Sequence, residues 1–228
     1  MIDYMDFEYG FTWTSNTKWM MPSDEKLFQN QFAIVDEFID TTLAYIPKNN
    51  REVCIQAGAC IGLWPIKYSN FFEKVITFEP LLETYNCAVE NIKRCNVNNI
   101  DIFNRALGPN TKVKMKYSKE KNLSRSYGAY HVVEATDGME TMPIDDIPLN
   151  GKRVSHIQLD VEGYELKALK SAQNVIKTFR PVIVIEQRSL SHLHTLGVKI
   201  NSAKEWLENE QGYIVKERIG NDFIMISK

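Results

Sequence analysis

The chain has 228 residues, of which 44% are apolar and 25% charged, and its formal net charge is −2. That length suits one α/β domain with some decoration, and the balance is that of a core-forming chain rather than a disordered one. The near-neutral charge gives no whole-chain attraction to nucleic acid or to an anionic membrane. No stretch reaches the roughly 20 apolar residues of a membrane span, and the acidic start lacks the apolar run of a secretion signal. A cytoplasmic protein with neither kind of partner is expected. Cys54, Cys60, Cys87 and Cys95 form no C-x-x-C pair and lie far from the histidines, which suggests reduced thiols rather than zinc.

Residues 1–22 are rich in aromatics without a clean period. Pro22-Ser23-Asp24 reads as a helix start, and Phe28, Phe32, Val35, Ile39, Leu43 and Ile46 follow at helical spacing to about Pro47. Residues 1–50 are therefore expected to form an N-terminal arm and helix, and 51–228 the main domain. Val53-Cys54-Ile55 is a buried strand that runs into a glycine-bearing loop, Gln56 to Gly62, and a helix to about Phe72, with Pro65 in its first turn. Val75–Phe78 is a second strand closed by Glu79-Pro80. Leu82, Tyr85, Val89 and Ile92 mark a second helix by their apolar spacing. Ile100–Phe103 is a third strand, leaving through Asn104, Arg105 and Ala106.

Residues 110–145 break this alternation. Val113, Met115 and Tyr117 alternate with Lys112, Lys114 and Lys116, which is strand periodicity. A β-rich insertion is expected, with a mobile loop at Ser124–His131. Its lysines, with Lys119 and Lys121, read as the guard of an edge strand or, alternatively, as a face that attracts an anionic acceptor. Val154–Leu159 is a strand that leaves through Asp160-Val161-Glu162-Gly163. One helix then carries Leu166 to Phe179, Pro181–Ile185 is an apolar strand, and a helix near Ser202–Asn209 precedes two strands joined by Gly220-Asn221 as a hairpin. Repeated βα units predict a doubly wound, mostly parallel sheet covered on both faces.

Such sheets bind ligands at the carboxyl ends of their strands. Three of the five strand exits carry an acid there: Glu79, Asp160 with Glu162, and Glu186. The first exit, Gln56-Ala57-Gly58, spaces Gly58 and Gly62 as G-x-x-x-G, which lets backbone N–H groups approach a ligand. Glu79 lies 17 residues beyond Gly62, the distance of one helix and one strand, and an acid there accepts hydrogen bonds from ribose hydroxyls. Together they predict an adenosine-containing cofactor. The absence of G-x-G-x-x-G argues against a nicotinamide.

The segments VCIQAGACIG, VITFEP, NRALG, HIQLDVEGYE and FRPVIVIE, in this order, resemble the FkbM family of S-adenosylmethionine-dependent methyltransferases, over about Val53 to Glu186. LDVEGYELKALKSA is the most specific piece. The resemblance implies a seven-stranded Rossmann-like methyltransferase sheet and methylation of hydroxyls, often on sugars. It implies that Gly58 and Gly62 line the methionine and ribose part of the site, that Glu79 holds the ribose, and that Asn104, Arg105 and Ala106 border the adenine, with Ala57 and Pro80 beside them. The chain departs from the family at Gln56, where Asp is usual, at Cys60, where Asn is usual, and at Gln158, where Lys is common.

The expected activity is O-methylation of a hydroxyl, on a small-molecule or glycan acceptor. Rival readings are a nucleotide-binding oxidoreductase and a non-catalytic adenosine-binding module. Asp160 is either the general base, a ligand of a divalent cation, or the N-cap of a helix beginning near Glu162. Glu162 reads as a first-turn acid favoured by the helix dipole. Glu186 stands at the site edge, and His131 and His192 are further candidates for catalysis. His156 and Gln158 share a strand face with Asp160, either as satisfied core contacts or as groups that orient it.

Overall fold

A computed structural model describes residues 3–8, 18–23, 32–117, 127, 130–187 and 199–228. The N-terminal segment opens as an antiparallel hairpin of β1 (Tyr4–Glu8) and β2 (Lys18–Pro22). Pro22 thus closes a strand instead of starting a helix, Ser23 follows in a turn with its N donating to Asp3 O at 2.9 Å, and Asp24 lies outside the described residues. Helix α1 (Phe32–Leu43) follows. β3 (Val53–Ala57), α2 (Leu63–Tyr68), β4 (Lys74–Phe78), α3 (Leu82–Arg94) and β5 (Ile100–Phe103) then alternate as the hydrophobic rhythm predicts, with Pro65 in the first turn of α2.

The insertion is a separate three-stranded antiparallel sheet of β6 (Lys112–Tyr117), β7 (Tyr130–Glu134) and β8 (Met139–Glu140), in the order β7-β6-β8. The lysine-bearing strand therefore lies in the middle of this sheet, not at its edge. Lys112, Lys114 and Lys116 are exposed because they occupy its outer face, and Lys119 and Lys121 lie outside the described residues. β9 (Val154–Leu159) returns to the main sheet, followed by α4 (Glu165–Lys170), α5 (Gln173–Phe179) and β10 (Val182–Glu186). The single helix expected over 166–179 is two. At the break, Ser171 Oγ donates to Ala168 O at 2.7 Å and accepts from Ile144 N at 3.1 Å, pinning the junction to the end of the insertion. Helix α6 (Ser202–Glu210) and the hairpin of β11 (Tyr213–Ile219) and β12 (Asp222–Ser227) complete the chain.

The main sheet has seven strands in the order β11-β12-β10-β9-β3-β4-β5. β10, β9, β3, β4 and β5 run parallel, and the final hairpin joins antiparallel to β10. Strand alternation sends Cys54 toward a core shared with Phe38 of α1, Ile66 of α2 and Ile92 of α3. Val53, Ile55 and Ala57 face the opposite core with Leu169, Ile176 and Leu207 of α4, α5 and α6. Chain order runs outward from β3 to β5, then returns to β9. The order thus reverses between β3 and β9, where a ligand crevice belongs.

Helix α3 departs from the apolar face read in the sequence. Leu82 is 56% and Val89 40% exposed, while Thr84, Cys87, Ala88 and Asn91 face inward. The reason is Asn91, whose buried amide accepts from Met20 N at 2.6 Å and donates to Met20 O at 2.9 Å and Ile61 O at 2.8 Å. A side-chain amide here substitutes for a strand partner. It brings β2 onto the helix, and with it Trp19 and Met21, both buried in the first core.

Candidate active site

The exits of β3, β4, β5 and β9 surround an open cleft of ≈ 830 Å³ at the reversal point. The loop after β3 is built from residues in the left-handed region: Gly58 at φ 86°, Cys60 at 51° and Gly62 at 95°. Gly58 and Ala59 donate to Phe78 O at 3.0 and 3.1 Å, which holds the loop over the end of β4. A Cβ at Gly58 would lie 1.9 Å from the Asp160 carbonyl oxygen, so only glycine fits there. In return Asp160 N donates to Ala57 O at 3.1 Å. The floor of the cleft is thus two strand exits in backbone contact.

Glu79 is buried at the end of β4, and each of its oxygens is held: Oε2 accepts from Cys60 N at 2.7 Å and Oε1 from Leu81 N at 2.9 Å. Burial pushes its carboxyl up to about 7, and the two backbone donors offset part of that rise. Asn104 Nδ2 donates to Glu79 O at 2.9 Å and Pro80 O at 3.1 Å, tying the exits of β4 and β5 together.

On the far side, Asp160, Glu162 and Glu186 converge, with one ligating atom of each within 4.8 Å of the others. Asp160 does not cap a helix, and Glu162 is not in a first turn. Glu162 and Gly163 both have positive φ (57° and 97°), and this turn delays α4 to Glu165, with Tyr164 at its N-cap position. Glu165 stands behind the trio. It is buried and accepts from Val161 N at 3.2 Å and Gly163 N at 3.1 Å. Burial raises it to about 8 against those bonds, with Glu186 and Glu162 adding to the rise.

Of the residues expected from sequence, Ala57, Gly58, Glu79, Pro80, Arg105, Ala106 and Asp160 line the cleft. Gln56, Gly62 and Asn104 do not. Gln56 is fully buried, donates to Gly58 O at 3.1 Å and accepts from Thr77 Oγ1, so its polar atoms are spent inside the sheet. Gly62 lies against Ala88 of α3. Glu186 reaches the site through the acid trio rather than through the cleft wall.

His131 does not face the cleft either. Its strand neighbours Tyr130 and Val132 line it, and His131 pairs with Lys116 on the opposite face. His192 and His194 lie outside the described residues, as does most of the expected Ser124–His131 loop. His156 is a core contact: its ring nitrogens meet Val182 O at 2.9 Å and Tyr68 Oη at 3.1 Å, and burial lowers it to about 4, so it stays neutral.

The aromatic part of the cleft wall was not expected from the sequence. Met115, Tyr127, Tyr130 and Val132 of the insertion line it, together with Trp64 of α2 and Tyr164. Its signal was the K-V-K-M-K-Y alternation, which fixes an apolar face without saying what that face covers.

Comparison with known proteins gives this cleft a context. A solved methyltransferase FkbM from Methylobacillus flagellatus KT is 22% identical over 77% of this chain, with a TM-score of 0.49. The present chain spans 43% of that protein's length. SMU.1697c from Streptococcus mutans, assigned as a methyltransferase and solved in complex with SAH, is 10% identical, with a TM-score of 0.50 over 84% of this chain and 95% of its own. A Staphylococcus aureus protein assigned as a caffeoyl-CoA O-methyltransferase is 14% identical, with a TM-score of 0.50 over 89% of this chain and 96% of its own. These two share the fold. No curated protein sequence matches the chain. The model of the methyltransferase FkbM domain matches residues 56–215, from the last turn of β3 to the final hairpin. A match over that much of the chain shows that it belongs to the FkbM family of S-adenosylmethionine-dependent methyltransferases.

Proposed function

We propose that this chain is an O-methyltransferase that binds S-adenosylmethionine in the cleft and methylates a hydroxyl of a sugar or glycan. The single observation that carries the reading is the placement of Glu79 and Asp160 at opposite sides of one glycine-floored crevice. The cleft fits the cofactor on its own terms. Glu79 is already oriented by two backbone N–H groups, Cys60 N of the glycine loop and Leu81 N beyond β4. Glu79 takes the ribose hydroxyls, and Arg105 and Ala106 border the adenine. When bound, the cofactor supplies an electrophilic methyl group. Asp160 receives the acceptor's hydroxyl proton as the new oxygen–carbon bond forms, and Glu162 and Glu186 favour that uptake by placing negative charge around it. A divalent cation held by the same three carboxylates is the other way to acidify the hydroxyl. The methyl-transfer unit is residues 51–228, with 1–50 as its arm, in a cytosolic setting that suits four free cysteines.

Calorimetry and turnover assays test this reading. Wild type should bind S-adenosylhomocysteine, and Glu79→Ala should weaken that binding by about 1–3 kcal/mol, the scale of charge-assisted hydrogen bonds. Asp160→Asn should lower turnover roughly a hundredfold with cofactor affinity nearly intact. Loss of wild-type activity on adding a chelator selects the cation route, and retention selects the carboxylate as base. Unchanged affinity in Glu79→Ala removes that residue from the ribose site.

A further inference from the structure

We infer that the apolar face of the β6–β7 sheet is the acceptor subsite, and that it takes a single uncharged ring with an apolar face and a hydroxyl on its rim. This rests on the methyl-transfer reading of the cleft and deepens it to a class of acceptor.

The insertion has two chemically opposite faces. Met115 pairs with Val132 and Tyr117 with Tyr130, so these four share one face, from which Met115, Tyr130 and Val132 line the cleft. Lys112, Lys114 and Lys116 take the other face and are exposed there. Alternation has therefore put every lysine of this strand away from the site. Among the described residues, Arg105 is the one cationic side chain on the cleft wall, and it lies at the adenine side, on the exit of β5.

The aromatic side chains of the wall also pack on one another. Tyr130 stacks with Tyr127 at 5.9 Å and 25°, and meets Tyr117 at 5.2 Å and 51°. Trp64, also on the wall, is braced edge-on by Phe38 at 5.1 Å. Asp160 and Glu162 line the same cleft. A ligand held there meets both apolar ring surface and carboxylates. A phosphate or carboxylate in that position would be desolvated beside like charge, with Arg105, the one cationic side chain of the described cleft wall, away on the exit of β5. A neutral ring satisfies both: its apolar face packs on the aromatics, and a rim hydroxyl points to the acids. Pyranosides and simple phenols share this chemistry.

Ligand-observed NMR on the full chain saturated with S-adenosylhomocysteine tests the inference. The probes are methyl pyranosides, catechol, glucuronate, a nucleoside monophosphate and a short RNA. A neutral ring should bind, with pyranosides and catechol deciding between the two sources, and the anions should not. Tyr130→Ala should weaken ring binding roughly tenfold while cofactor affinity stays within twofold. Lys116→Glu, on the outer face, should change nothing. Tyr130→Leu, which keeps apolar bulk without the ring, serves if Tyr130→Ala does not fold, and should also weaken binding. Anion binding abolished by Lys116→Glu would overturn the inference, as would a Tyr130 effect confined to the cofactor. If S-adenosylhomocysteine binds but none of the rings does, the acceptor class falls and the methyl-transfer reading stands. If S-adenosylhomocysteine itself fails to bind, both fall.

Discussion

Gln56 and Gln158 stand opposite each other on β3 and β9, and both differ from the residues usual in the family, Asp and Lys. Each is buried, at 0% and 1% exposure, and Gln158 Oε1 has no hydrogen-bond partner. Two charges that would neutralise each other are thus replaced by two neutral amides in one register pair. A single Gln56→Asp change does not restore a cofactor ligand, because position 56 does not reach the cleft. It buries an unpaired carboxylate, which costs about 3–5 kcal/mol in comparable broken pairs. Gln158→Lys alone should be similarly harmful. The double variant should recover most of the loss, giving a coupling energy of at least about 2 kcal/mol in a denaturant double-mutant cycle. Additive losses would mean that the two positions do not sense each other.

At the scale of elements, the strands and most helices were legible because each has a buried face with the correct period. The three exit acids and the glycine loop were legible because spacing alone carries them to one edge of the sheet. What escaped was tertiary. Helix α3 buries Asn91 and exposes Leu82 because it must bond a strand from the distant N-terminus, which no local pattern announces. The delayed start of α4 follows from the positive φ of Glu162, a conformation rare for a non-glycine residue and hard to foresee. His131 looked functional as a residue type but lies on the wrong face of its strand, and only the register of β7 against β6 decides that. The Asn91 clamp makes its own prediction. Asn91→Ala leaves Met20 N, Met20 O and Ile61 O without their partner in a buried place, at a cost of about 2–4 kcal/mol. Melting temperature should fall, and the Met20 amide should exchange much faster while those of β3 stay protected. An unchanged Met20 amide would show that packing of Trp19 and Met21 holds the hairpin without the clamp.

For the whole molecule, the acids of the site set the pH response. Glu79 and Glu165 have carboxyls raised to about 7 and about 8, chiefly by burial. The native state therefore holds protons there that the unfolded chain has released. Stability that depends on them is present below the unfolded value near 4.5 and is lost as pH rises through about 7 to 8. For Glu79 alone the difference amounts to about 3 kcal/mol. Melting of the ligand-free protein should thus weaken from pH 5.5 to pH 8, and Glu79→Gln should flatten part of that slope. A melting temperature that rises over this range would contradict the burial of both groups.

The contact between Gly58 and the Asp160 carbonyl also tells a sequence apart from its imitators. Because the main chain of one exit occupies the space a side chain on the other would need, the sequence constraint falls on position 58, while position 160 contributes only its carbonyl. A chain that keeps D-V-E-G but carries alanine or serine at the place of Gly58 cannot have this crevice floor, whatever its overall similarity. A chain that keeps the glycine while the rest of the loop drifts can still close it.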